Sequence, residues 1–117
     1  MNIEQLREHC LSYKAVSEHF PFDEFTLVFK VGSKMFALIP LDNPQAQIAL
    51  KCDPEKAIEL REEFSCIVPA YHFNKKHWNS VIMSNEISED KIKELINHSY
   101  DLVLAGLPRK EKLELNL

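Results

Sequence analysis

Two apolar runs, residues 25–31 and 34–41, are separated only by Gly32 and Ser33. Parallel strands need a crossover of a dozen or more residues, so these runs can pair only as an antiparallel hairpin. Side chains alternate between the two faces of a strand. Phe25, Leu27, Phe29 and Val31 therefore share one face, and Met35, Ala37, Ile39 and Leu41 share a face of the next strand. Opposing Phe29 with Met35 sends both rows into the core. That register predicts a three-residue loop, Val31-Gly32-Ser33, with one left-handed residue. It also sets Lys30 opposite Lys34 on the outer face, an unfavourable pairing of like charges that an anionic partner would relieve. Val28, Phe36 and Leu38 fall on that outer face too, and they need a cover.

Other segments read as strands at 47–51, 67–71 and 78–83. Three helices are expected. The first spans 2–14, with Asn2 as cap, Gln5 three residues on, and a stripe of Ile3, Leu6, Cys10 and Leu11. The second starts at Asp53-Pro54-Glu55, a cap, a first-turn proline and an acid at the positive end of the dipole. The third starts near Ser88 and carries Ile92, Leu95, Ile96, Tyr100 and Val103 at helical spacing, with Gly106 as a left-handed stop. The expected fold is α+β: a two-layer α/β sandwich in one domain, 1–117, with helices on one face of an antiparallel sheet. Its order is α-β-β-β-α-β-β-α.

Several function classes are excluded or disfavoured. With only Gly32 and Gly106, neither a P-loop nor a dinucleotide fingerprint can be written. The apolar runs are too short to span a bilayer, and the N-terminus lacks the order of a signal peptide. Cys10, Cys52 and Cys66 are odd in number and widely spaced, which reads as cytosolic thiols rather than a disulfide framework or zinc site. A cytoplasmic location, no membrane partner and no cofactor are therefore expected. His72 and His77, five apart in a loop, are not a metal spacing. Cys52 lies beside Lys51 at a helix start, which lowers a thiol pKa, but Asp53 opposes this and no base is visible. The chain is expected not to be an enzyme.

Charge is unevenly distributed. The net charge is -4. Residues 53–64 carry five acids against Lys56 and Arg61, and residues 85–105 carry five against Lys91 and Lys93. Residues 65–84 contain Lys75 and Lys76 and no acid. The expectation is an acidic helical layer opposite a less acidic sheet. Within that window, Tyr71-His72-Phe73-Asn74-Lys75-Lys76-His77-Trp78-Asn79 interleaves aromatic rings with cations and amides, a pattern suited to stacking on bases and neutralising phosphates.

These residues resemble the MmcQ/YjbR family of small bacterial proteins. Phe20-Pro21-Phe22-Asp23, Val28-Phe29-Lys30-Val31-Gly32 with Lys34-Met35-Phe36-Ala37, and Leu50-Lys51-Cys52-Asp53-Pro54 are similar to its motifs. So are the Tyr71–Asn79 stretch, Ser99-Tyr100-Asp101-Leu102-Val103 and Leu107-Pro108-Arg109-Lys110. Ala70 and Ser33 depart from it, glycine being more usual at both. The resemblance implies a fold like type III secretion chaperones and a phage double-wing domain, with two β-hairpins as wings, and a DNA-binding role. Lys30, Lys34, Lys51, Lys75, Lys76, Arg109 and Lys110 are then the expected phosphate contacts. Tyr71, His72, Asn74, His77 and Trp78 lie near bases or support the loop. Two rival readings are a protein-interaction module of the chaperone type, paired with a partner or a second copy, and a small-molecule binder at the Tyr71–Trp78 loop.

Overall fold

The computed structural model describes residues 1–71 and 73–117. Strands β1 (Val16–His19), β2 (Thr26–Val31), β3 (Lys34–Pro40), β4 (Gln47–Lys51), β5 (Ile67–Pro69) and β6 (Trp78–Ile82) form one antiparallel sheet in the order β1-β2-β3-β4-β6-β5. Helices α1 (Ile3–Leu11), α2 (Pro54–Glu63) and α3 (Glu89–Ala105) cover one face, and α4 (Arg109–Glu114) closes the chain. The fold is α+β in two layers, as the sequence implies, with two elements more than the expected order.

Those two elements, β1 and α4, carry little local signal. β1 offers one apolar residue, Val16, and is an edge strand recruited by β2 and by the Arg7–Glu18 ion pair to α1. α4 is six residues long and buries none of them. The helix starts follow the expected chemistry. Asn2 and Gln5 form a reciprocal capping box, Asp53 accepts from the N–H groups of Glu55 and Lys56, and Ser88 accepts from that of Lys91. Gly106 is not left-handed, however: its φ is -85° and its N–H turns back to the last carbonyls of α3. The chain needs no reversal there because α4 begins three residues later.

Leu6, Cys10, Ala57, Leu60, Ile92 and Ile96 from the helices pack on Leu27, Phe29, Phe36, Ile39, Ile48 and Val81 of the sheet. Burying a side chain such as Phe29 or Phe36 contributes about 1.5–3 kcal/mol.

The hairpin register differs from the sequence expectation. Phe29 opposes Ala37 and Lys30 opposes Met35, leaving Phe36 as an extra residue on β3. This bulge turns both Phe36 and Ala37 toward the helices and moves Met35 to the outer side. Val31 then opposes Lys34, so the loop is two residues, Gly32-Ser33, and the two lysines are not opposed. Positive φ at Gly32 alone, +57°, fits a type II′ turn. Leu41 is exposed rather than in the core. A one-residue insertion thus reassigned one row, because apolar content alone does not locate a bulge. Phe36 needs no outer cover. Val28 and Leu38 receive one within the chain, from Ala70, Phe73 and Trp78.

Candidate functional site

The β2–β3 turn, the start of β1, the end of β4 and the start of β6 lie at one end of the sheet, since Val16 opposes Val31, Val31 opposes Lys34 and Lys51 opposes Trp78. The last turn of α3 and the start of α4 reach the same end. The Lys34 ammonium donates to the Gly106 carbonyl (3.0 Å), and Glu111 accepts from the Ser33 N–H (2.6 Å) and hydroxyl (2.9 Å). Lys30, Lys34, Lys51, Lys75, Lys76, Arg109 and Lys110 are therefore gathered around one end of the strands. The opposite end holds the loops 20–25, 41–46 and 83–88, with Asp23, Glu24, Asp42 and Glu86, and the acidic first turn of α3, Glu89 and Asp90.

The acids of α2 and α3 are exposed on the helical layer, as expected, and the cations named above are in addition gathered toward one strand end, which Asp53 and Glu111 share. The helix dipole supplies the physical reason. α3 starts with acids and has no cation of its own in the last turn, so its terminal carbonyls draw lysines from other elements, Lys34 to Gly106 and Lys112 to Ala105. The ion pairs among the described residues are Arg7–Glu18, Lys91–Glu94 and Lys93–Glu89. None uses a cation of the gathered set.

Ala70, Phe73 and Trp78, around the turn before β6, pack over the outer face. Trp78 is 8% exposed and its ring lies 5.6 Å from that of Phe73, so it anchors the loop rather than offering a stacking surface. Tyr71 is 67% exposed, and the Lys75 ammonium sits 5.0 Å from its ring centroid. Asn74 builds the turn: its side chain accepts from the Lys76 N–H and its carbonyl from the N–H groups of His77 and Trp78. His77 is half-buried and its carbonyl accepts from the Cys52 N–H (2.7 Å). His72 lies outside the described residues. Arg109 and Lys110 are exposed on the first turn of α4.

Two residues that hold this loop were not singled out from sequence. Arg61 of α2 donates to the Lys75 carbonyl (2.9 Å) and to the Asn79 side chain (3.2 Å), while Asn79 donates to the Ala57 carbonyl (3.2 Å). The available signal was Asn79 itself, a polar residue at a helix-facing strand position.

Two of the thiols, Cys10 and Cys52, are held in their neutral forms. Burial pushes Cys10 up to about 12 and raises Cys52 above the usual thiol range despite Lys56 nearby. The lowering that Lys51 and the helix start suggest for Cys52 is therefore outweighed by desolvation. No group of three or more His, Cys, Asp or Glu converges as a metal site among the described residues. No helix among them is long and apolar enough to cross a membrane.

The family model YjbR matches residues 11–102. The chain belongs to the YjbR family. Among YjbR-family relatives, it is 41% identical over 93 residues to the uncharacterized protein YbdF of Escherichia coli O157:H7, covering 80% of this chain and 76% of that one. It is 27% identical over 112 residues to the uncharacterized protein YjbR of Escherichia coli K12, covering 96% and 95%. The crystal structure of Deinococcus radiodurans protein DR2400 superposes with a TM-score of 0.91 at 38% identity, covering 99% of this chain and 88% of that chain. A Pseudomonas syringae protein superposes at 0.76 with 28% identity, covering 88% and 99%.

Proposed function

We propose that this YjbR-family protein is a small non-enzymatic DNA-binding protein whose basic strand end meets the phosphate backbone. The observation that carries the reading is the gathering of Lys30, Lys34, Lys51, Lys75, Lys76, Arg109 and Lys110 at one end, outside any ion pair among the described residues. The β2–β3 hairpin and the 70–78 loop act as two wings flanking that end. Tyr71 is the exposed ring available to a base or sugar. Affinity comes from phosphates with little base discrimination, since no helix presents a row of arginines to a groove.

The test is an anisotropy titration with mixed-sequence duplex and single-stranded DNA at two ionic strengths. If about four phosphates are neutralised, log K falls with log salt at a slope near -3.6. Lys75→Glu/Lys76→Glu weakens binding and flattens the slope. Salt-independent binding, or none with either probe, removes the reading.

A second reading, a protein-interaction module, draws on Phe20, Phe22 and Phe25, each at least half exposed in the β1–β2 loop at the acidic end. Light scattering tests it: a strict monomer whose mass is unchanged when all three become Ser counts against self-association there.

A further inference from the structure

The outer face of the sheet contains a cleft of about 730 Å³. Its floor follows from the register. One row crosses the sheet as Val28, Leu38, Ala49, Ser80 and Val68, each opposing the next. The row toward the basic end is filled by Met35, Phe73 and Trp78. At Ala49 and Ser80 the side chains are small, so the surface dips there. The dip lies between two walls, the Phe22-Asp23 turn and the residues Ala70, Tyr71 and Phe73. It is lined by aromatic and aliphatic groups with a few polar ones, the composition of a small-molecule site. His77 and Trp78, central to the loop reading, do not line it.

The charged residues of the lining are Asp23 and Asp42, and no Lys or Arg belongs to it. Asp23 is fixed in place by hydrogen bonds from the Phe25 N–H (2.8 Å), the Thr26 N–H (2.7 Å) and the Thr26 hydroxyl (3.2 Å). Those bonds keep it ionised. Asp42 is exposed beside it at the start of the β3–β4 loop. At the other wall Tyr71 already receives a cation, the Lys75 ammonium. Two carboxylates and one rim ammonium leave a single negative charge to be balanced.

We infer that this cleft binds a small organic monocation, an amine whose aromatic or aliphatic body lies on Ala49 and Ser80 while its ammonium meets Asp23 and Asp42. The cavity selects for an apolar body of modest size and the carboxylates for positive charge. An anion is rejected twice, by the carboxylates and by the apolar floor. The cleft shares Tyr71 and its rim cation Lys75 with the proposed DNA-binding end, but Asp23, Asp42, Ala49 and Ser80 belong to the cleft alone, so each reading can fail without the other.

Three phenyl compounds of matched size test this: 2-phenylethylammonium, 2-phenylethanol and 3-phenylpropionate, each titrated into the full chain with amide chemical shifts as readout. The ammonium saturates with a Kd on the order of 1 mM or tighter and moves the Ala49, Ser80 and Tyr71 amides. The alcohol binds more weakly and the carboxylate weakest. Asp42→Asn weakens the ammonium by roughly fivefold and leaves the alcohol unchanged. Ser80→Leu fills the dip and abolishes binding of both. Lys75→Ala removes the competing cation and tightens the ammonium, whereas it weakens DNA. Carboxylate binding as tight as ammonium binding overturns the inference. So does an unchanged ammonium affinity in Ser80→Leu, or a set of shifts confined to the basic end.

Discussion

The Ser99 hydroxyl, fully buried on α3, donates to the Phe36 carbonyl at 2.5 Å and accepts from the Lys51 N–H at 2.9 Å. Phe36 is the extra residue of the β3 bulge, and β3 pairs with β4 only at Ala37–Leu50 and Leu38–Ala49. One hydroxyl from the helical layer thus satisfies the two strand groups that the interrupted ladder leaves without each other. Ser99→Ala leaves both unpaired in the core. We expect a loss of about 2 kcal/mol, a fall in Tm of about 8 °C, measured by calorimetry.

Asn79 and Arg61 connect the 70–78 loop to α2. Asn79 is 3% exposed, so Asn79→Ala takes a side-chain donor from the Ala57 carbonyl, an acceptor from Arg61, and packing volume from the core. A cost of about 2 kcal/mol is expected. Arg61→Ala is milder, about 1 kcal/mol. It also has a local signature: hydrogen exchange at the His77 and Trp78 amides accelerates more than exchange in α3. Uniform acceleration would mean that Arg61 supports only global stability.

Gly32 and Glu111 are coupled. A Cβ at Gly32 would stand 2.5 Å from the Glu111 carboxylate, and φ there is +57°. Gly32→Ala is expected to cost about 2 kcal/mol or more, combining left-handed strain with the clash. Glu111→Ala, which removes the Ser33 hydrogen bonds, costs about 1 kcal/mol. In the double variant the costs are less than additive, because the clash is gone while the strain remains. Additive costs in urea denaturation contradict this coupling.

Acid should weaken the protein in two windows. Burial lowers the His98 pKa, and its ring accepts from the Asp53 N–H (3.3 Å) in the neutral form. Burial likewise lowers that of His9. A histidine whose folded pKa is depressed contributes stability above its unfolded pKa, lost as pH falls from about 6.5 through the folded value. The carboxylates act lower. The Ser65 hydroxyl and N–H hold Glu86 below the usual range, the N–H groups of Phe25 and Thr26 hold Asp23, and Arg7 holds Glu18. Their contribution is complete above the ordinary carboxylate pKa and disappears as pH falls through the depressed values. Tm measured from pH 7 to pH 3 should show both limbs. Glu86→Gln should shrink the lower one, and His98→Gln the upper.

The two strand ends should respond unequally to charge reversal. Arg109→Glu/Lys110→Glu is expected to reduce the salt slope of DNA binding by about 2, one phosphate contact per residue. Asp42→Lys at the far end should leave it unchanged. Equal effects from both ends would mean that only net charge matters.

Much of this architecture was legible because local rules agreed with the global fold. Asn2 with Gln5, Asp53 with Pro54, and Ser88 each mark a helix start, and the apolar runs place β2, β3, β4 and β6. What escaped depended on partners distant in sequence. Phe36 reads like any alternating strand residue, and its inward turn depends on Ser99, far along the chain. Val16–His19 becomes a strand because β2 offers an edge, not through its own composition. Arg61 and Asn79 look like a solvated charge and a stray amide until α2 packs beside β6. The cations were read as a set and assigned to a layer. Their true arrangement follows from where antiparallel strands and helix termini finish, which no charge tally along the chain contains.

That arrangement gives the molecule a local excess of cations at one strand end on a chain of net charge -4. Its total charge repels a polyanion at long range, yet the field near such a surface exerts a torque that turns the cation-rich end forward. Orientation therefore precedes contact, and added salt, by screening the torque, should slow capture more than it hastens release.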